Sequence, residues 1–161
     1  MARHVVRDPP TSLRPQLSGF SLHPSLPPPQ PSLQTLPSLD KMDERKATMR
    51  KRTKEFASLV IRLYIGLDKS REELRVLGRQ FLRSGTSVAA NYREASRARS
   101  DAEFIAKIEL CSQEADETQL WLELLQDDCA ISPERIGPVW QEADELISIF
   151  TVMSKNTKKK T

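Results

Sequence analysis

From residue 43 onward, apolar side chains recur every three or four positions and nowhere alternate as a half-buried strand requires. Between about Asp43 and Leu67, the residues Phe56, Leu59, Val60, Leu63, Tyr64 and Leu67 fall on one face. A second period runs from about Arg71 to Ser96, with Leu74, Leu77, Phe81, Leu82, Val88, Ala89 and Tyr92 sharing a stripe with Gly78 and Gly85. Glycine costs a helix about 1 kcal/mol relative to alanine. Two glycines on a buried stripe therefore predict either close helix–helix approach or a kink near Gly85 and Thr86.

The third period opens with Ser100-Asp101-Ala102-Glu103, the spacing of a capping box. Phe104, Ile108, Cys111, Ala115, Thr118, Leu122 and Leu125 then follow in steps of four and three, the seam of helices packed at a shallow angle. The fourth begins at Ser132-Pro133, a cap followed by proline at the first helical position. It carries Ile136, Val139, Trp140, Ala143, Leu146, Ile147, Phe150 and Met153, and ends among lysines that complement a helix C-terminus. Four amphipathic helices with short connectors predict an all-α, antiparallel up-down-up-down four-helix bundle over residues 42–155. A three-helix alternative would need two segments to merge across Pro133 or the Asp68-Lys69-Ser70 break. Phe104, Ile108, Leu122, Leu125 and Phe150 are expected in one core.

Nine of the 11 prolines lie in residues 1–41. Proline removes backbone donors and fixes φ, so this segment is expected to be a disordered tail favouring extended conformers. An SH3-like partner for it is the functional alternative. Met42 is expected as the natural start, with residues 1–41 arising from a mis-called start codon. Residues 156–161 are expected as a second, Lys-rich disordered tail.

Six aliphatics, counted at 100° per residue, point away from the predicted core: Ile61 and Ile65, Leu120 and Leu124, Ile149 and Val152. They predict a subunit interface; the alternative is a core stripe wider than drawn.

The formal charge of +3 on 161 residues hides a sorting by helix. Residues 69–99 carry +5 and residues 100–128 carry −8. Arg71, Arg75, Arg79 and Arg83 form a slowly winding stripe, read either as a phosphate-contacting surface or as pairing with the acidic third helix. Arg45, Arg50, Lys51 and Arg52 make the start of the first helix basic and a candidate for nucleic-acid contact.

Chemistry-bearing groups are sparse. Both histidines, His4 and His23, precede the helical body. Without Glu-x-x-His there is no di-iron bundle, and no glycine-rich phosphate loop occurs. Cys111 falls on the core stripe, whereas Cys129, near a helix end, is placed toward solvent. The reading is therefore a non-enzyme, without cofactor or metal. No apolar run approaches the length of a membrane span and no secretory signal opens the chain, so a cytoplasmic protein is expected. One polar cluster, with Ser84, Gly85, Thr86, Ser87, Asn91 and Glu94, is read as a packing and hydrogen-bond node or, alternatively, a ligand site.

That cluster, written S-G-T-S-x-x-A-N-x-x-E-A, together with E-A-D-E-T-x-x-W-L-E-L-L from Glu114 to Leu125, resembles the bacterial four helix bundle protein family, also known as the 23S ribosomal RNA intervening-sequence protein family. The resemblance covers roughly Phe56 to Phe150. It implies a left-handed antiparallel bundle assembled as a ring-like homopentamer. The family name records where the genes lie and establishes no activity. The accessory protein of diversity-generating retroelements is similar in fold; it is basic and binds nucleic acid and a reverse transcriptase. This chain is less basic, at +1 over residues 42–161. Two functions stand open: an oligomeric bundle associated with structured RNA or the ribosome, or a protein-interaction scaffold without a nucleic-acid role.

Overall fold

A computed structural model describes residues 37–160; residues 1–36, with most of the prolines and both histidines, and residue 161 lie outside it. Four helices follow one another: α1 (Pro37–Ile65), α2 (Glu72–Ala95), α3 (Asp101–Asp127) and α4 (Pro133–Lys158). There is no strand among the described residues. α1 packs on α2 and α4, and α3 packs on α2 and α4, while the diagonal pairs meet only through core side chains such as Tyr92 and Phe150. Cross-helix bonds fix the directions. Arg50, midway along α1, donates to the Ser96 hydroxyl after α2 at 2.8 Å, and Arg135, early in α4, donates to the Gly66 carbonyl after α1 at 2.8 Å. The result is the predicted antiparallel bundle.

α1 starts five residues before Met42, with proline at its first position, where a missing N–H costs nothing. α4 likewise continues through Lys158, into the expected Lys-rich tail. At the start of α3 the Ser100 hydroxyl accepts from the Glu103 amide at 3.2 Å, as the capping box predicts. The Glu103 carboxylate closes the box one residue further out, accepting from the Arg99 amide at 2.8 Å.

The core is closed by Phe56, Phe81 and Phe150, each fully buried, with Ile108, Leu122, Leu125 and Leu146 between them. Each such side chain contributes about 1.5–3 kcal/mol relative to exposure. Phe104 departs from expectation: it is half-buried at the end of the seam, where α3 has only just begun. α2 runs unbroken through Gly85, so the glycines serve close approach and not a kink. A Cβ on Gly85 would lie 2.6 Å from Val60 Cγ2, and one on Gly78 would lie 3.0 Å from Leu67 Cδ1.

Cys129 is buried, contrary to its expected exposure. Ala130 adopts φ 59°, a left-handed conformation that turns the chain back and seats Cys129 and Ile131 against the core. The Arg71 guanidinium covers this turn, donating to the Cys129 carbonyl at 3.1 Å.

Candidate nucleic-acid interface

Antiparallel helices bring alternate termini together, so the fold sorts charge by end of the bundle and not only by helix. One end gathers residues 41–51, 92–104 and 153–160, where twelve Lys and Arg oppose five Asp and Glu. The other gathers residues 62–75 and 120–136, where five oppose seven. A helix-by-helix count averages over both ends and conceals this polarity.

The candidate basic residues meet different fates. Arg52 donates to Glu142 at 2.7 and 3.1 Å and also binds Glu145, clamping α1 to α4. These carboxylates raise its already high pKa further. Arg50 is held by Ser96, and Lys51 lies 3.8 Å from Glu55. In the second-helix stripe, Arg71 pairs with Glu73 at 2.6 Å and Arg75 with Glu72, both local contacts. Arg83 crosses to Glu117 on α3 at 3.0 Å. Arg79 is exposed and, among the described residues, has no acidic partner. The stripe is thus largely neutralised, and only Arg83 reaches the acidic third helix.

At the basic end, by contrast, Arg45, Arg93, Arg97, Arg99, Lys155, Lys159 and Lys160 have no acidic partner among the described residues. They were visible in the sequence, but only the pairing of helix ends makes them one surface. Within that surface, Arg45, Arg99 and Lys160 rim a groove of about 490 Å³ floored by Tyr92, Phe104 and Met153. Tyr92 stacks on Phe150 at a centroid distance of 6.1 Å, and burial pushes its phenol up to about 12.

The polar cluster on α2 meets α3 through Ser84 and Glu94, while Gly85 faces α1. Ser84 is buried, its hydroxyl 3.0 Å from that of Thr118, itself buried. Thr86 bonds back to the Leu82 carbonyl at 2.7 Å, while Ser87 and Asn91 are half-buried. Glu94 is exposed and pairs with Lys107 at 2.5 Å. Nearby on α3, Glu114 Oε2 and Trp121 Nε1 are buried without a hydrogen-bond partner among the described residues. Burial raises the Glu114 pKa, Glu117 adding to the effect and Arg83 opposing it. Cys111 faces the same interior; burial drives its thiol up to about 12, so it is a poor nucleophile.

Of the six outward aliphatics, Ile61, Ile65, Leu120 and Val152 are exposed, Ile65 by 67%. Leu124 is half-buried, and Ile149 packs partly on its own bundle's core. Val76 and Leu110 are further exposed aliphatics, on α2 and α3. Among the described residues, no group of His, Cys, Asp or Glu is placed to hold a metal ion, and no helix is long and apolar enough to cross a membrane.

No curated protein matches the chain. A crystal structure of a protein of unknown function from the S23 ribosomal protein family of Bacteroides thetaiotaomicron is similar at 35% identity and a TM-score of 0.61. The match covers 66% of this chain and 97% of that one. The family model described as 23S rRNA-intervening sequence protein matches residues 45–152, which span nearly all of the four helices and the motifs on α2 and α3. With fold, motifs and family model in agreement, the chain belongs to the 23S rRNA-intervening sequence protein family.

Proposed function

We propose that this chain is a non-enzymatic, self-assembling helical bundle of the cytoplasm that contacts structured RNA through its phosphates. The observation that carries this reading is the set of basic side chains, without acidic partners among the described residues, gathered at one end. Cations with no internal partner are free to displace the counterions of a phosphate backbone. Arg45 and Arg99 are the leading contacts, and Arg79 adds a lateral one. Arg50, Arg52, Arg71, Arg75 and Arg83 are occupied within the bundle and are secondary.

A gel shift with structured RNA at two salt concentrations tests the reading. The affinity should fall steeply as salt rises, and Arg45→Gln with Arg99→Gln should flatten that dependence by about two phosphate contacts. Absence of a shift at micromolar protein would reject it.

The exposed Ile61, Ile65, Leu120 and Val152 favour a second reading, that the surface is built for protein contact. They sit on three helices, so a head-to-tail contact that closes into a ring suits them better than a single self-complementary patch. Five subunits is the number the family resemblance implies. Light scattering behind a sizing column should give about five times the 18.3 kDa chain mass. A monomer at tens of micromolar would reject assembly, and a ring of another size would reject only the number.

A further inference from the structure

We propose that the groove at the basic end receives one unpaired nucleotide of an RNA chain, with its base on the apolar floor and its flanking phosphates on the rim. This rests on the reading of the basic end as a phosphate surface and names what that surface selects.

The groove combines two features that a simple phosphate-binding face does not need. Its floor is apolar: Phe104 and Met153 are half-buried, and Met42 stands 51% exposed beside them. Its rim is cationic: Arg45, Arg99 and Lys160 come from α1, the α2–α3 connector and the end of α4. They therefore surround the opening instead of lining one edge. A base has two apolar faces and a charged phosphate on each side, which matches a floor ringed by separate cations. The volume, about 490 Å³, is that of a small-molecule site and too narrow for a paired helix. A single acid, Asp101, lies on the rim, where a carboxylate can accept from an exocyclic amine. Charge also argues against the chain's own N-terminal segment as occupant. Residues 1–36 carry Arg3, Arg7 and Arg14 against Asp8 alone, the same sign as the rim.

The test is fluorescence anisotropy with the full chain and two labelled hairpins that differ only by one unpaired adenosine. The bulged hairpin should bind about tenfold more tightly, the scale of one base–aromatic stack. Phe104→Leu, which keeps the position apolar but removes the ring, and Met42→Ser, at an exposed position, should each shrink that preference without changing affinity for the paired hairpin. Arg99→Gln should weaken both hairpins alike. Equal affinity of the unsubstituted chain for the two hairpins would overturn the groove proposal and leave the phosphate surface standing. No binding to either would overturn both. Displacement of the bulged hairpin by micromolar adenosine monophosphate would reassign the groove to free nucleotides.

Discussion

Gly85→Ala isolates the contact that lets α2 approach α1. In an open helix this change stabilises by about 1 kcal/mol. Here the added Cβ would lie 2.6 and 2.8 Å from the two methyl carbons of Val60 and 3.2 Å from its Cβ. Val60 is fully buried and β-branched, so it has no alternative rotamer into which to withdraw cheaply. The helices must separate, and such overpacking costs about 1–3 kcal/mol. The upper half of that range applies, because three atoms of one stiff side chain are involved. The net expectation is a loss of about 1–2 kcal/mol in urea unfolding followed by circular dichroism. Val60→Ala removes the two methyls, so in that background Gly85→Ala should recover its ordinary gain of about 1 kcal/mol. The coupling between the two positions is then about 2–3 kcal/mol. If Gly85→Ala stabilises the otherwise unchanged chain, or acts equally in both backgrounds, the close approach does not govern the packing.

Leu122→Ala should cost about 2–5 kcal/mol, since Leu122 is fully buried on the α3 seam; a loss below about 0.5 kcal/mol in the same assay would displace the seam. Glu114→Gln should raise the urea midpoint near pH 7 but not at about pH 3.5. Burial raises the folded-state pKa of Glu114, so any stability from this group is complete below its unfolded pKa and is lost as pH rises through the folded value; the gain from glutamine must therefore appear on the alkaline side. An equal gain at both pH values would refute that cause. Arg52→Ala should destabilise by about 1 kcal/mol through loss of its contacts with Glu142 and Glu145, yet leave RNA affinity unchanged; a weakened gel shift in a folded variant would return Arg52 to the RNA surface.

The helices were legible because the period of Phe56, Val60 and Leu63, or of Ile108, Cys111 and Ala115, records burial directly. The role of Gly85 was half legible: its place on a buried stripe announced something unusual, but choosing approach over kink required the position of Val60. Cys129 was misplaced because its burial depends on the left-handed turn at Ala130, and alanine gives no signal for that conformation. At the candidate surface, residue type alone could not separate Arg52 from Arg45. Both are basic residues of α1, and only the rotation of the helix against α4 commits one of them to Glu142. The basic end was implicit in the antiparallel order, yet sums taken along each helix blurred it across the length of the bundle.

The thin contact between α1 and α4 has a kinetic consequence. α2, α3 and α4 pack extensively in series, whereas α1 is held by a glycine-lined face of α2 and, on its other side, by a short seam that includes the Arg52 clamp. Local opening follows the regions with least buried contact. Amide hydrogens of α1 should therefore exchange through detachment of that helix alone, while those of α3 wait for the whole bundle to unfold. Because Met42 and Arg45 ride on α1, each such excursion also takes down one wall of the groove, so the groove is whole only while that helix stays docked.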